Sequence, residues 1–538
     1  MHTAKALSLT FVALMLLFGT LIFAQPSIVW QKCLGGSDWD RAYSIQQTSD
    51  FGFIVAGYSA SNDGDVSGWH EGYHFGNPTS DYWVLKLNSS GRIEWQKCLG
   101  GSGDDLAESI QQTSDGGFIV AGYTYSNDGD VSGNHGDGDF WVVKLSSSCR
   151  IEWQKCLGGS GRDRAYSIQQ TSDGGFIVAG YTESNDGDVS GNHGNADYWV
   201  VKLNSAGNIE WQKCLGGSDW DRPYSIQQTS DGGFIVAGWT NSNDGDVSGN
   251  HGGNDYWIVR LNSSGNIVWR KCLGGSGWDW ALSVQQTSDS GYIVTGFTES
   301  NDGDVSGNHG GRDYWVVKLN SSGNIVWQKC LGGTGWDVAF SIQQTSDGGF
   351  IVAGWSKSND GDVSGHHGSA DSADYWVVKL NTTGRIVWQK CLGGSGEDWA
   401  YSVQQTSDGG FIVAGYTFSN DGDVSGKHGL YDNPDYWVVK LSPSGVSENV
   451  IVPEQFKLSV FPNPFNSSCT ITAPSGAKLE IYDLQGRVIS KGIQPFTESQ
   501  GKRTFIWQPD KTIRSGIYFV KATMEDGRKR IKRMVLVK

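Results

Sequence analysis

From residue 28 onward the chain alternates short apolar runs with turn residues, and the pattern repeats. In one unit Ser109-Ile110-Gln111-Gln112-Thr113 faces Phe118-Ile119-Val120-Ala121-Gly122 across Asp115-Gly116-Gly117, and Asp-Gly between strand-like runs is a hairpin signal because both residues tolerate positive φ. After a longer loop come Phe140-Trp141-Val142-Val143-Lys144-Leu145 and Ile151-Glu152-Trp153-Gln154-Lys155-Cys156. Four antiparallel strands per unit is the make-up of a propeller blade. The marker Trp-Gln-Lys-Cys-Leu-Gly-Gly begins at Trp30, Trp95, Trp153, Trp211, Trp327 and Trp388, with an Arg270 variant at Trp269. The period is 58 residues in the middle of the array and 65 and 61 where loops lengthen, which indicates a propeller or array. There are seven copies of each strand, but the series starts on a fourth strand (Ile28 to Leu34) and ends on a third (Tyr436 to Leu441). The pattern therefore predicts an all-β, seven-bladed β-propeller over 28–441, its last blade completed by the N-terminal strand, which removes an open edge. A β-helix is the alternative, although its coils are shorter than this period.

These Asp-Gly-Gly-Phe-Ile-Val-Ala-Gly and Tyr-Trp-Val-Val-Lys-Leu units resemble the tandem propeller repeats of bacterial surface proteins and lipoproteins, a likeness that implies a fold and no activity. The repeat stops after Gly445, and 442–453 reads as a linker. The remainder, 454–538, alternates in Leu479 to Leu484 and Ile517 to Ala522 and turns at Gln485-Gly486 and Asp526-Gly527, which predicts a small Ig-like β-sandwich. Its Pro462-Asn463-Pro464 opening, Asp483-Leu484-Gln485-Gly486-Arg487 centre, Ser515-Gly516-Ile517-Tyr518 strand and final Lys538 resemble the type A C-terminal sorting domain of the type IX secretion system. That resemblance implies contact with the secretion machinery, passage across the outer membrane of a Gram-negative bacterium, and removal of the tail followed by release or attachment to surface lipopolysaccharide. An ordinary adhesive sandwich is the alternative. At the other end Lys5, the apolar run Leu7 to Phe23 and Ala24 predict a signal peptide over 1–24, with no transmembrane span left in the mature protein.

Charge sharpens this division. The chain carries a net −16; from Pro453 onward there are 15 Lys/Arg and 7 Asp/Glu, so the rest carries −24. An acidic body excludes nucleic acid as a partner, since phosphates need a basic surface, and favours cations. Seven of the nine cysteines (Cys33, Cys98, Cys156, Cys214, Cys272, Cys330, Cys391) hold one equivalent position, too far apart in a radial array for bridging. They are predicted to be small buried apolar residues. Cys149 and Cys469 have no evident partner.

Three recurring features carry candidate chemistry. The loop Ser-Asn-Asp-Gly-Asp-Val-Ser-Gly recurs seven times and in six is followed by an Asp eleven residues after its first Asp. The sets are Asp128, Asp130, Ser132 and Asp139; Asp186, Asp188, Ser190 and Asp197; Asp244, Asp246, Ser248 and Asp255; Asp302, Asp304, Ser306 and Asp313; Asp360, Asp362, Ser364 and Asp371; and Asp421, Asp423, Ser425 and Asp432. This matches the calcium-loop template at positions one, three, five and twelve, with Gly at six. Two departures count against it: position twelve is Asp instead of a bidentate Glu, and no helices flank the loop. In the first repeat His74 stands at position twelve and an insertion displaces Asp81. The competing reading is Asx and Ser turns. Second, Asp40, Asp105, Asp163, Asp221, Asp279, Asp337 and Asp398 follow each Cys-Leu-Gly-Gly and are predicted to accept backbone N–H groups between blades. Third, Trp39, Trp220, Trp278, Trp280, Trp336 and Trp399 are predicted to decorate one face, where they pack between blades or stack on sugar rings. The loop histidines His135, His193, His251, His309 and His428 are expected to be turn residues, since one per blade does not converge on zinc.

The chain has no Gly-x-Ser-x-Gly elbow, His-Glu-x-x-His helix or phosphate loop. The expected function is a secreted or surface binding or scaffold protein, with calcium as its candidate cofactor and a surface glycan or protein as ligand. A glycan-directed adhesin is the first alternative, and a polysaccharide lyase or glycosidase sited in the channel mouth the second. Near-identical repeats count against an enzyme, because catalysis needs asymmetry; a cluster of odd carboxylates or histidines on one face would favour one.

Overall fold

The computed structural model describes residues 25–443 except 75 and 430–432, and residues 459–537 except the short segments 462–464, 475–476, 484–486, 492–494, 500–501, 511 and 524–528. The predicted signal peptide and most of the predicted linker lie outside these residues. Among the described residues the protein is all β, with no helix.

The first unit, 1–446, contains seven four-stranded antiparallel sheets. The second sheet is typical: an inner strand Asp105–Gln112, then Phe118–Thr124, Asp139–Leu145 and an outer strand Ile151–Leu157. The inner strand starts four residues earlier than the pattern suggested. A bulge between Ala107 and Ser109 breaks the alternation there and leaves Glu108 unpaired. The six other inner strands are Asp40–Gln47, Asp163–Gln170, Asp221–Gln228, Asp279–Gln286, Asp337–Gln344 and Asp398–Gln405. In the seventh sheet the N-terminal strand Ile28–Leu34 pairs with Asp435–Leu441, Cys33 opposite Trp437 and Leu34 opposite Tyr436.

The two middle strands of every sheet are buried on both faces, which accounts for their continuous apolar runs. Trp83, Trp141, Trp199, Trp257, Trp315, Trp376 and Trp437 are wholly buried. Most of these indoles meet a tyrosine from the preceding sheet: the Tyr82 hydroxyl donates to the Trp141 carbonyl at 2.9 Å and its ring lies 4.5 Å from the indole. The same link recurs around the array and includes Tyr436 to Trp83, from the seventh sheet to the first. Phe140 keeps the ring contact without the hydroxyl. A Cβ at Gly122 would strike the Leu106 carbonyl and crowd the Tyr82 hydroxyl, so the second strand needs glycine at that point.

At their inner strands the sheets are joined by side chains. Each inner strand's first Gln accepts an N–H from the next strand, as Gln46 does from Gln112 at 2.6 Å, and Gln404 accepts from Gln47 at 2.6 Å. Gln46, Gln111, Gln169, Gln227, Gln285, Gln343 and Gln404 together line one cavity of about 220 Å³. At the hairpins the buried Lys144 ammonium lies 3.0 Å from Asp115 and 3.1 Å from Glu152. The cysteines are free; the recurring seven are buried or nearly so. Cys149 adopts φ +62° where its equivalents are glycines such as Gly207 at +76°, and it packs with Trp95 in the core.

The second unit, 447–538, holds two four-stranded antiparallel sheets. One contains Cys469–Pro474 and Lys502–Trp507, the other Lys478–Tyr482 and Gly516–Thr523. Cys469, Ile471, Leu479, Ile481, Phe505, Trp507, Val520 and Met534 from both sheets share one core.

Candidate functional site

The connections between sheets are built on buried carboxylates. Asp105 is fully buried and accepts from the Gly101 N–H at 2.8 Å and the Ser126 hydroxyl at 2.9 Å. Asp40, Asp163, Asp221, Asp279, Asp337 and Asp398 repeat this. Burial pushes Asp40, Asp105 and Asp398 up to about 7 against the pull of those hydrogen bonds.

A second buried carboxylate opens each third strand. Asp139 accepts from both the His135 backbone N–H at 3.0 Å and its ring Nδ1 at 2.6 Å. The ring contact recurs as His70–Asp81, His193–Asp197, His251–Asp255, His309–Asp313, His367–Asp374 and His428–Asp435 at 2.5–2.8 Å. The histidines are thus specific partners of strand carboxylates, His70 and His367 among them although the sequence reading named neither; the separation from the Asp varies with loop length, from four residues at His135 to seven at His367 and His428 and eleven at His70. For the same reason three position-twelve assignments are corrected. Asp374 and Asp435, not Asp371 and Asp432, open their strands, opposite Ser356 and Thr417. Asp371 is exposed in a turn, and Asp432 lies outside the described residues. In the first sheet Asp81 keeps its place with His70, while His74 stands on an inserted hairpin, Tyr73–His74 with Asn77–Pro78.

The Asp loops are therefore held in several directions. Asp128 accepts the Ser102 N–H of the preceding connection at 2.7 Å; Asp186, Asp244, Asp302, Asp360 and Asp421 do the same. The Asp130 N–H donates to the Gly100 carbonyl at 2.8 Å, and the position-three carboxylates Asp188, Asp246, Asp304, Asp362 and Asp423 belong to equivalent turns. Ser132 accepts from Gln154 at 2.7 Å, as Ser190, Ser306, Ser364 and Ser425 do from their own glutamines; Ser248 holds the same position beside Arg270. Asp139 turns to His135. Among the described residues no group of three His, Cys, Asp or Glu side chains is placed to hold a metal ion, and the loop oxygens at positions one, five and twelve are already engaged by protein donors. Calcium or EDTA should accordingly move the melting temperature by less than about 1 °C; calorimetric uptake with a rise of several degrees would show that the loops reorganise around the ion.

The six tryptophans divide. Trp39, Trp278 and Trp336 are 41%, 48% and 51% exposed on the connecting loops, joined by half-buried Trp220. Guanidiniums sit over three of them, Arg41 on Trp39, Arg222 on Trp220 and Arg312 on Trp336, each at 4.6 Å. Trp280 and Trp399 instead occupy the second position of inner strands and stack on Trp239 at 5.1 Å and Trp355 at 4.9 Å.

The asymmetry of the array is concentrated over the first three sheets. A cavity of about 990 Å³ is lined by Trp39, Tyr58, Tyr73, Tyr123 and Tyr125, by Asp38, His74, Asp104, Asp137, Arg162 and Arg164, and by Leu106. The inserted hairpin forms part of its wall. Close by, the fourth position of the inner strands reads Tyr43, Glu108, Tyr166, Tyr224, Leu282, Phe340 and Tyr401. Their rings touch neighbour to neighbour, as Tyr43–Tyr401 at 4.7 Å and Tyr166–Tyr224 at 4.8 Å. Leu282 and Glu108 are the two members without a ring, and Glu108 is the only charged one. Burial pushes it up to about 8, with Arg164 pulling the other way. A comparison of the repeats with one another would have found it, as the one carboxylate in an apolar column.

Residues 459–538 match the family described as "Secretion system C-terminal sorting domain". The match agrees with the tail motifs and indicates a secreted or cell-surface protein exported by the type IX system, as is typical of Bacteroidetes. No curated protein matches the chain. Two solved structures align weakly. A member of the DUF4221 family from Bacteroides vulgatus is 9% identical with a TM-score of 0.30, over 62% of this chain and 93% of that one. A GH43_12 retrieved from a capybara gut metagenome is 11% identical with a TM-score of 0.27, over 95% and 91%. Likeness at this level carries no inference about activity.

Proposed function

We propose that the seven sheets close into a seven-bladed β-propeller, carried to the cell surface by an Ig-like sorting domain, and that it works as a glycan-binding module through the cavity over the first three blades. Closure is supported by the strand pairing of Ile28–Leu34 with Asp435–Leu441 and by the Gln47–Gln404 and Tyr436–Trp83 links. One observation carries the binding reading: residues that the repeat does not require, namely the hairpin, Asp104, Asp137 and Arg162, collect around one sugar-sized cavity with aromatic walls. Aromatic faces stack on sugar rings while nearby polar groups fix orientation.

On a glycan array the full-length protein should bind a restricted set of polysaccharides. Trp39→Ala and Tyr125→Ala should each weaken binding by about 1–2 kcal/mol, roughly five- to thirtyfold, without lowering the melting temperature. Equal binding by the variants would place the ligand elsewhere. A second reading rests on the same asymmetry: Asp38, Asp104, Asp137 and His74 are carboxylates and a histidine around one cavity, which a polysaccharide-cleaving enzyme would need. New reducing or unsaturated ends released from the bound polysaccharide would favour that reading.

A further inference from the structure

We propose that the cavity lined by the seven inner-strand glutamines binds a small monovalent anion, a halide of chloride size. The seven side chains come from seven different sheets and share one space of about 220 Å³. Chemistry settles which end of each amide faces the neighbouring strand. Every Oε1 accepts a backbone N–H from the next inner strand at 2.6–2.7 Å, Gln46 from Gln112, Gln227 from Gln286, and so on until Gln404 accepts from Gln47 and the series returns to its start. A backbone N–H can only donate, so the atom it meets is the amide oxygen, and Nε2 is the end left over. None of these seven Nε2 groups donates to another protein atom among the described residues. Seven amides with two N–H donors each therefore share one cavity while their acceptor ends are engaged elsewhere. The following glutamine of each strand is placed differently: Gln228 accepts from the Ser172 N–H at 2.8 Å and does not line the cavity.

The donors set the sign of the ligand. Besides the glutamines the lining contains only Ile and Val from the preceding strand position. No carboxylate is there to hold a cation or repel an anion, and the glutamine oxygens that a cation would need are already engaged. Neutral donors offset the desolvation of one charge better than that of two, which favours a monoanion, and the space takes a halide together with a few waters. The net charge of −24 outside the tail opposes anions in general, so saturable uptake reports the amides and not the overall charge. Because the donors belong to all seven sheets, the ion stabilises the state in which all seven inner strands meet. The site shares no residue with the cavity over the first three sheets and does not depend on the glycan reading.

Crystals of the full-length protein soaked in sodium bromide test the site without any variant. An anomalous peak should lie inside the cavity, within hydrogen-bonding reach of several Nε2 atoms, and a rubidium soak should place no cation there. In solution, chloride NMR line broadening, titrated at constant ionic strength with gluconate as the replacing anion, should saturate at a single site per chain. Gln227→Glu keeps an oxygen for the Gln286 N–H but puts a negative charge in place of the amide. It should weaken chloride at least about tenfold through repulsion at close range. Gln228→Glu, the same change of charge on a side chain outside the cavity, should weaken it less than about threefold. Gln285→Glu should repeat the loss from the next sheet, and it replaces Gln227→Glu if that variant does not fold. Melting temperatures within about 2 °C of wild type in chloride-free buffer establish that the variants are folded. The site is overturned by bromide confined to the outer surface, by a rubidium peak in the cavity, or by equal chloride affinity in Gln227→Glu and Gln228→Glu. Bromide density without saturable chloride uptake in solution means binding at crystal concentration only and overturns it as well.

Discussion

Deleting residues 25–34 abolishes cooperative folding of the repeat region or leaves it aggregating, which is the largest effect expected of any short change in this chain. The strand Asp435–Leu441 is fully buried, and without Ile28–Leu34 it becomes an open edge, a template for pairing with other chains. Cys33 packs into one apolar cluster and Leu34 into the next, so the loss reaches the cores on both sides. The Trp437 indole also loses Gln31 as acceptor, at 2.9 Å. Several backbone bonds at about 1 kcal/mol each, added to about 1.5–3 kcal/mol per buried side chain, approach the whole stability of a domain. Sedimentation and thermal melting of the deletion variant would show it. A peptide spanning residues 25–36, added in trans, should restore solubility and the melting transition. A soluble variant melting within a few degrees of wild type would mean the ends of the array do not depend on each other.

The second large effect is a stability optimum in mild acid. Burial raises Asp40, Asp105 and Asp398 to about 7, and Asp81, Asp163, Asp221, Asp255 and Asp337 to about 6. An unfolded aspartate titrates near about 3.9. Between that value and the folded one, the native protein holds protons that the unfolded chain releases, so stability falls as pH rises. Each raised group contributes about 1.4 kcal/mol per pH unit in this window, and the seven-fold repeat multiplies it. His251 acts in the same direction. Burial alone would lower its pKa, but Asp255 holds it above its usual value, so its contribution fades as pH rises through that folded value. The hairpin carboxylates oppose this at low pH. Against the upward push of burial, Thr113, the Gly117 N–H and Lys144 hold Asp115 down at about 2, and Asp50, Asp173 and Asp289 also lie at about 2. Their stabilisation disappears as pH falls below about 4. The melting temperature should therefore peak near pH about 4–5 and drop by at least about 5 °C by pH about 8. The drop should persist in high salt, which screens repulsion across the acidic surface but not the buried groups. Asp398→Asn should reduce the slope. A melting temperature that is level or rises toward pH 8 would contradict this assignment.

Much of the architecture could be read from the repeat, because a residue demanded seven times reports its environment. The continuous Phe-Ile-Val-Ala-Gly and Tyr-Trp-Val-Val runs are buried on both faces, and the N-terminal strand pairs where the offset count put it. The inner strand was misjudged where the bulge at Glu108 breaks alternation, since a bulge has no period. Fixed spacing also failed where loops change length: Asp374 and Asp435 hold their strand positions whatever precedes them, while counting eleven residues lands on Asp371 and Asp432. The histidine–aspartate pairs were hidden for a similar reason, as the turn that brings His70 to Asp81 differs in length from the one that brings His135 to Asp139. The cavity was the least legible feature. Its wall is an insertion and its polar residues are departures from the repeat, so they appear only once the repeat itself has been subtracted.

The central claim is that one face over three of the seven sheets does the binding, and hydrogen–deuterium exchange with a glycan identified on the array tests it most directly. Protection should appear around Tyr58, Tyr73–Ser80, Ser102–Leu106, Tyr123–Tyr125 and Arg162–Arg164, with none at the equivalent positions Trp239, Phe297 and Trp355. Equal protection in all seven sheets, or protection confined to the outer strands, would contradict it.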